Sequence, residues 1–391
     1  MVPKEWQEKY LNDIAFITSG GTPSRKISKY WNGNIPWIRT TEVQNCKIYK
    51  DQVKEYITID GLNNSSTKLV PKSTILLAMI GQGKTRGQVA FLTFEATINQ
   101  NCAAIIFNEE QYPEFYYNFL LSKYSNIRGL SNSAGQSNLS TTLVKKIKVL
   151  VPPLHEQKKI AQILSTWDKA ITITEKLLAN SVLQKKALMQ QLLTRKRHFP
   201  GFEGEWKKVE LGKLLDYQQP TPYLVKSSDY SNEHRVPVLT AGKTFVLGYT
   251  NEDFGIFNKN LPVIIFDDFT TASKFVNFPF KAKSSAMKIL EAKEGVSIKY
   301  VFEAMQILNY PIGGHQRHWI SIFANLVISL PSSEEQQKIA SVLSTADREI
   351  ELLKQKLCCL RQEKKALMQQ LLTGKKRVKI QEVGNGSKRT N

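Results

Sequence analysis

The sequence predicts an α/β (α+β) fold built twice: two mixed domains in tandem, each followed by a long helix, the two helices packing as an antiparallel coiled coil with pseudo-twofold symmetry. Three observations predict it. Glu156–Lys196 and Glu335–Lys375 align without a gap, about 180 residues apart, and share all of their closing ten residues, Lys185–Thr194 and Lys364–Thr373. Each of these stretches carries an apolar stripe at alternating steps of four and three, the mark of a coiled-coil seam. The blocks in front of them differ in sequence but alternate short apolar runs with turn clusters in the same way.

The first block, 1–153, opens on Glu5-Trp6 with Leu11 and Ile14 behind. Gly20-Gly21-Thr22-Pro23, Asn32-Gly33-Asn34 and Asn63-Asn64-Ser65-Ser66 punctuate it as turns. Thr74–Ile80, Gln88–Phe94, Cys102–Phe107 and Ile147–Val151 have the length and composition of strands. Tyr112–Leu121 reads as a helix. Pro152-Pro153 stops the last strand, and 154–198 follows as the first long helix. Its packing stripe contains Ile160, Leu164, Trp167, Ile171, Leu178, Leu188 and Leu192.

The third block, 199–332, opens alike, with Glu205-Trp206 before Leu211 and Leu214. Val236–Thr240, Pro262–Phe266 and Leu326–Leu330 are its strands and Val296–Leu308 its helix. Pro331 closes it. The second long helix, 333–376, starts at a capping box of Ser333 with Gln336. Its stripe contains Ile339, Leu343, Ile350, Leu353, Leu357, Leu367 and Leu371. A helix of about 40 residues spans roughly 60 Å and cannot bury a single stripe alone. Two matching stripes in one chain can bury each other. The polar tail, 377–391, is expected to be flexible.

The net charge of +20 points to a polyanionic partner. Most of the surplus lies on the first block (+7) and on the two repeats (+6 before residue 199 and +6 after residue 332). The third block is nearly neutral at +1. Four cysteines, Cys46, Cys102, Cys358 and Cys359, do not form a disulfide or zinc framework. There is neither a run long enough for a membrane span nor a secretory leader, so a cytoplasmic protein is expected.

Ala78–Thr85, AMIGQGKT, approximates a phosphate-binding loop. That chemistry needs a helix next, and Gly87–Leu92 reads as a strand. A glycine-rich hairpin that carries Gln82, Lys84 and Arg86 to DNA fits better. His315 and His318 have no ligand cluster near them, so no metal is expected. Asp267-Asp268 suits a turn, or a hydrogen bond to a base, better than a nuclease centre. Asn34-Ile35-Pro36-Trp37 lacks the proline pair of an adenine methyltransferase tetrad. The chain carries the hardware for binding without that for catalysis.

In this order the motifs resemble the DNA-specificity subunit of type I restriction–modification enzymes, over about residues 1–376. The likeness rests on 152–160 and 331–339, on Leu188–Thr194 and Leu367–Thr373, on Ala134–Leu139 and on Gly314-His315-Gln316. It implies two target-recognition domains, each reading half of a split double-stranded DNA target, and spacer helices that fix the gap between the halves. It implies two methyltransferase (modification) subunits docked on the helices, and motor–nuclease (restriction) subunits joining them. S-adenosylmethionine, ATP and Mg would belong to those partners, with no cofactor in this chain and no catalysis by it. Side-chain chemistry and loop position nominate Arg25, Lys26, Arg39, Thr40, Gln82, Lys84, Arg86, Gln136 and Asn138 as DNA contacts in the first domain. Tyr223, Lys243, Thr270, Gln316, Arg317 and His318 are nominated in the second. A stand-alone ATPase using Lys84 and a purely structural scaffold are the competing classes.

Overall fold

The computed structural model describes residues 3–81, 83–133, 138–242, 244–308 and 318–379. The chain divides into two compact units, and the division cuts both long helices. One unit runs up to Thr174 and resumes at Lys356; the other is Glu175–Gln355. Each unit thus joins one mixed domain to half of each long helix.

The helices are Leu154–Leu192 and Ser333–Leu371, 39 residues each. They end before the sequence-derived limits of 198 and 376 because the backbone turns left-handed at Arg195 (φ 59°) and Gly374 (φ 69°). The amide of Arg197 then closes on the carbonyl of Gln191, and that of Lys376 on Gln370. The second helix is capped one residue earlier than expected. Ser332, not Ser333, is its cap, and its hydroxyl accepts the Glu335 amide at 3.3 Å.

Within each unit the paired halves are antiparallel. In the first, Glu156 meets Arg377 and Asp168 meets Lys364 at 2.5 Å. In the second, Ser181 donates to Glu349 at 2.9 Å and Lys185 meets Asp347 at 2.6 Å. Ile160, Leu164, Leu192, Ile339, Leu343, Ile350, Leu357 and Leu371 are buried. Trp167, Ile171, Leu178, Leu188, Leu353 and Leu367 are half-buried. Each buried aliphatic contributes about 1.5–3 kcal/mol.

The two mixed domains share one topology. In the first, a five-stranded sheet runs in the order Ala15–Ser19, Cys102–Phe107, Ile75–Ala78, Val89–Leu92, Cys46–Ile48. In the second, Leu215–Gln218, Met287–Ala292, Val263–Asp267 and Ser273–Val276 repeat the first four strands of that order. A smaller sheet holds a parallel pair in both, Trp31–Ile38 with Ala96–Ile98 and Val236–Leu239 with Lys281–Ala282. The opening strand clasps the closing one: Gln7–Tyr10 pairs with Lys148–Val151, and Lys207–Glu210 with Val327–Leu330. One core per unit joins sheet, helix and long-helix ends. In the first it contains Phe115, Phe119, Ile160, Leu164 and Leu371; in the second, Tyr300, Trp319, Leu192, Ile339 and Leu343.

The Glu-Gln dipeptide at the start of each repeat fastens domain to helix. Gln157 is buried; its Oε1 accepts the Tyr112 amide at 2.8 Å and its Nε2 donates to the Pro152 carbonyl at 2.8 Å. Gln336 does the same with the Ser297 amide at 2.9 Å and the Pro331 carbonyl at 3.0 Å. Tyr112 and Ser297 precede the domain helices Pro113–Ser122 and Ile298–Met305. Glu156 is held by Arg377, whereas Glu335 accepts from Trp206 Nε1 at 2.9 Å. Arg377 also reaches Glu5 and the Lys4 carbonyl, and Val378 packs on the core. The expected flexible tail therefore does not begin at 377, because ion pairs fasten that residue. Residues 380–391 lie outside the described residues.

In the second unit Lys185, Asp347, Lys299 and Glu303 close a ring of charges with contacts of 2.6–3.1 Å. Burial would raise the Asp347 carboxyl, but hydrogen bonds from Lys185 and Lys299 outweigh it and hold it below its usual 3.8. Burial would lower Lys299, but bonds to Asp347 and Glu303 raise it.

Two predictions test these fastenings. Gln336→Ala leaves the half-buried Ser297 amide unmet and should cost about 1–3 kcal/mol in thermal or urea unfolding; an unchanged midpoint would show that water replaces the amide. A depressed carboxyl contributes stability above its ordinary pKa and loses it as pH falls through the folded value. Asp347→Asn should therefore melt below the parent at pH 7, with the gap closing from about pH 4 downward. A constant gap down to about pH 2 would mean that the ring's charge is not what stabilises.

Candidate nucleic-acid interface

The glycine-rich segment is a hairpin loop. It leaves the strand Ile75–Ala78 and returns in Val89–Leu92. Gly87 sits at φ 86°, where a Cβ would meet the Arg128 backbone at 3.3 Å. The Lys84 carbonyl accepts Tyr124 Oη at 2.7 Å, and the Arg86 carbonyl accepts Arg128 Nη1 at 3.3 Å. The backbone is thus anchored on the helix Tyr124–Ser133 while the Lys84 side chain stays exposed. A strand follows the loop, so it lacks the helix N-terminus that holds phosphates in a nucleotide site.

The second domain has its counterpart hairpin between Val263–Asp267 and Ser273–Val276. Asp267 Oδ1 accepts the amides of Phe269 (2.9 Å) and Thr270 (2.8 Å), leaving Thr270 exposed at the tip. Asp268 is buried, accepts the Trp319 amide at 2.9 Å and faces Lys288 at 3.4 Å. These aspartates build the turn. Leu139 and Trp319 are tied to the same two hairpins, since the Leu139 amide donates to the Met79 carbonyl at 2.8 Å and the Trp319 amide to Asp268.

Arg25 and Arg39 converge on one carboxylate. Arg25 meets Glu55 at 2.5 Å and stacks 3.6 Å from the Trp31 ring centroid; Arg39 meets Glu55 at 3.0 Å. Lys26 and Asn138 are exposed. Thr40 is a correction. It is 7% exposed and donates to Asn99 at 3.1 Å, in contact with Cys102, so its hydroxyl is turned into the core. Burial pushes the Cys102 thiol up to about 12, leaving it no thiolate to react. Tyr223 is half-buried, edge-on to Phe257. Gln82, Gln136, Lys243, Gln316 and Arg317 lie outside the described residues. His318 begins the short helix to Ser321, its side chain likewise outside the description.

Sequence reasoning missed Glu55, which orients both arginines, and the buried Lys281 and Lys288. A lone Glu and two Lys in strands carry no signal until the fold brings partners to them.

The description "Type I restriction modification DNA specificity domain" matches residues 3–180 and 203–361. The chain belongs to this family. It is 44% identical over 161 residues to the EcoR124I/EcoR124II specificity subunit of Escherichia coli, covering 40% of this chain and 39% of that protein. A putative type I restriction enzyme MjaX specificity subunit of Methanocaldococcus jannaschii matches at 28% over 413 residues, 97% of this chain and 95% of the relative. Among solved structures, the type I restriction–modification S subunit from M. genitalium has the same fold, with a TM-score of 0.67 at 16% identity, over 95% of this chain and 96% of that one.

Lys84→Ala removes a side chain while its loop stays anchored through the carbonyl. Binding to every duplex should weaken about equally, and the salt slope should flatten by about one unit. Titrating matched and mismatched duplexes at several salt concentrations checks it. A loss confined to one base position would make Lys84 a base contact instead, and no change would leave the loop a plain turn.

Proposed function

We propose that the chain is the DNA-specificity subunit of a type I restriction–modification system. Each mixed domain is a target-recognition domain, 1–153 and 199–332, and reads one half of a bipartite double-stranded target. The long helices, Leu154–Leu192 and Ser333–Leu371, set the spacing and dock two methyltransferase subunits, which motor–nuclease subunits join for restriction. S-adenosylmethionine, ATP and Mg would act in those partners, in the cytoplasm, and this chain would supply no catalytic residue.

The observation that carries the reading is the duplicated fastening. Gln157 and Gln336 hold two domains of one topology through equivalent bonds, while the hairpin loops they present differ completely, Gly81–Gln88 against Asp268–Ala272. A constant frame with unlike loops suits two readers of different sequences. Glycine turns and aspartate turns on sheets of the same strand order suit neither one ATP site nor a plain scaffold.

Mapping modified adenines in DNA from cells with and without the chain should reveal one split sequence. Inserting one helical turn after Leu178 lengthens that arm by about 5–6 Å. The gap should then change by one or two base pairs, about 3.4 Å each, with both halves retained. An unaltered gap would reject the spacer role, and turnover of ATP by the purified chain would reject the non-catalytic one.

A further inference from the structure

The near-neutral second domain raises a question that the specificity reading alone does not answer: how it grips a polyanion. Among its described residues the domain exposes three large rings, Tyr217 (43%), Phe254 (47%) and Phe269 (51%). Exposed apolar side chains are ordinary on any surface. These three differ in what holds them.

Lys281 is fully buried beneath Phe254. Its ammonium lies 4.3 Å from the ring centroid, donates to the Phe254 carbonyl at 2.6 Å and pairs with Glu252 at 3.0 Å. Glu252 also accepts the amides of Lys226 (3.0 Å) and Ser227 (2.8 Å). The loop then turns at Gly255, φ 56°, where a Cβ would strike the Pro222 carbonyl at 2.6 Å. Lys226 approaches the same ring at 4.8 Å. Lys288, 2% exposed, lies 5.8 Å from the Tyr217 centroid, donates to Gln219 at 3.0 Å and faces Asp268 at 3.4 Å. Asp268 adjoins Asp267, whose carboxylate pins the Phe269 amide.

Burying an ion pair costs desolvation and seldom adds net stability. Here two such pairs lie against exposed rings, Lys281–Glu252 under Phe254 in a loop and Lys288–Asp268 beside Tyr217 on the strand Leu215–Gln218. We infer that the second domain reads its half-site through Tyr217, Phe254 and Phe269, stacked on or wedged between bases, with Lys281 and Lys288 as positioning residues. Rings held this way lose little conformational freedom on binding, and stacking or wedging needs no surplus of surface cations. The proposal rests on the specificity reading above and adds the means of recognition.

The test uses the full chain assembled with its methyltransferase subunits. Binding is measured to a duplex bearing the mapped target and to duplexes with either half scrambled, at several salt concentrations. Phe254→Ala and Phe269→Ala should each weaken binding to the intact target by about 10- to 100-fold, with the salt slope unchanged. The effect should vanish when the second half is already scrambled. Phe254→Trp should retain affinity. Lys281→Met should reduce discrimination at the second half with Phe254 still present. The proposal is overturned if Phe254→Ala and Phe269→Ala bind within twofold of the parent, or if their loss comes as a flattened salt slope. It is overturned too if the variants fail to assemble with the methyltransferase subunits, which would make the rings a protein interface. A parent complex that does not distinguish the intact from the scrambled target would instead defeat the specificity reading itself.

Discussion

A 39-residue helix with one apolar stripe has no stable place in water until something covers that stripe. This chain answers with a second helix of the same design, and the rest of the structure depends on that pairing. Antiparallel pairing sets the beginning of each helix against the end of the other. The two compact units therefore divide the helices between them, and neither mixed domain is served by its own helix alone. Ile160 and Leu164 share a core with Leu371 in one unit, and Ile339 and Leu343 share one with Leu192 in the other.

The repeated residues do the same work twice, and their surroundings make the two results unlike. Lys364 pairs with Asp168 as Lys185 pairs with Asp347. In the second unit the pair is extended into the domain by Lys299 and Glu303. In the first unit Glu114 and Asn118 occupy the matching turns of the domain helix; Glu114 turns to Lys47 at 2.7 Å and Asn118 to the Glu114 carbonyl at 2.8 Å. The buried glutamates before the two latch glutamines diverge likewise. Arg377 neutralises Glu156, whereas an indole N–H donates to one oxygen of Glu335 and the other oxygen is buried without a hydrogen bond among the described residues. A duplicated frame thus tolerates different fillings so long as each buried charge finds a donor.

Much of this was legible in the sequence because it rests on periodicity. The long helices and their inward stripes came from spacing, and the strand Cys102–Phe107 from its length and composition. Helix ends were less legible, because Arg195 does not announce the left-handed turn that Gly374 does at the equivalent place. Ser332 and Ser333 offer the same hydroxyl, and only backbone geometry selects the cap. The site was the least legible. Thr40 has the composition of a loop contact and the environment of a core residue, and Arg25 and Arg39 gave no sign that one carboxylate would hold both. Such facts depend on residues distant in sequence, where no local pattern reaches.

Charge counted along a sequence describes a surface only if the charges are there. In the first domain Glu55 pairs with both Arg25 and Arg39, and Arg25 lies over Trp31, which fixes their direction while reducing the net field they present. In the second, Lys281, Lys288 and Lys299 lie inside the fold, each facing a carboxylate. The balances of +7 and +1 therefore understate how differently the two domains meet solvent. One keeps exposed cations such as Lys26 and Lys84 at its surface, where long-range attraction works and salt weakens it. The other has exposed lysines too, but also buries Lys281 and Lys288 beside Phe254 and Tyr217, where they set geometry at short range. Two domains on one frame can thus differ physically as well as in sequence, the first in the cations it exposes and the second in the rings it sets over buried ion pairs.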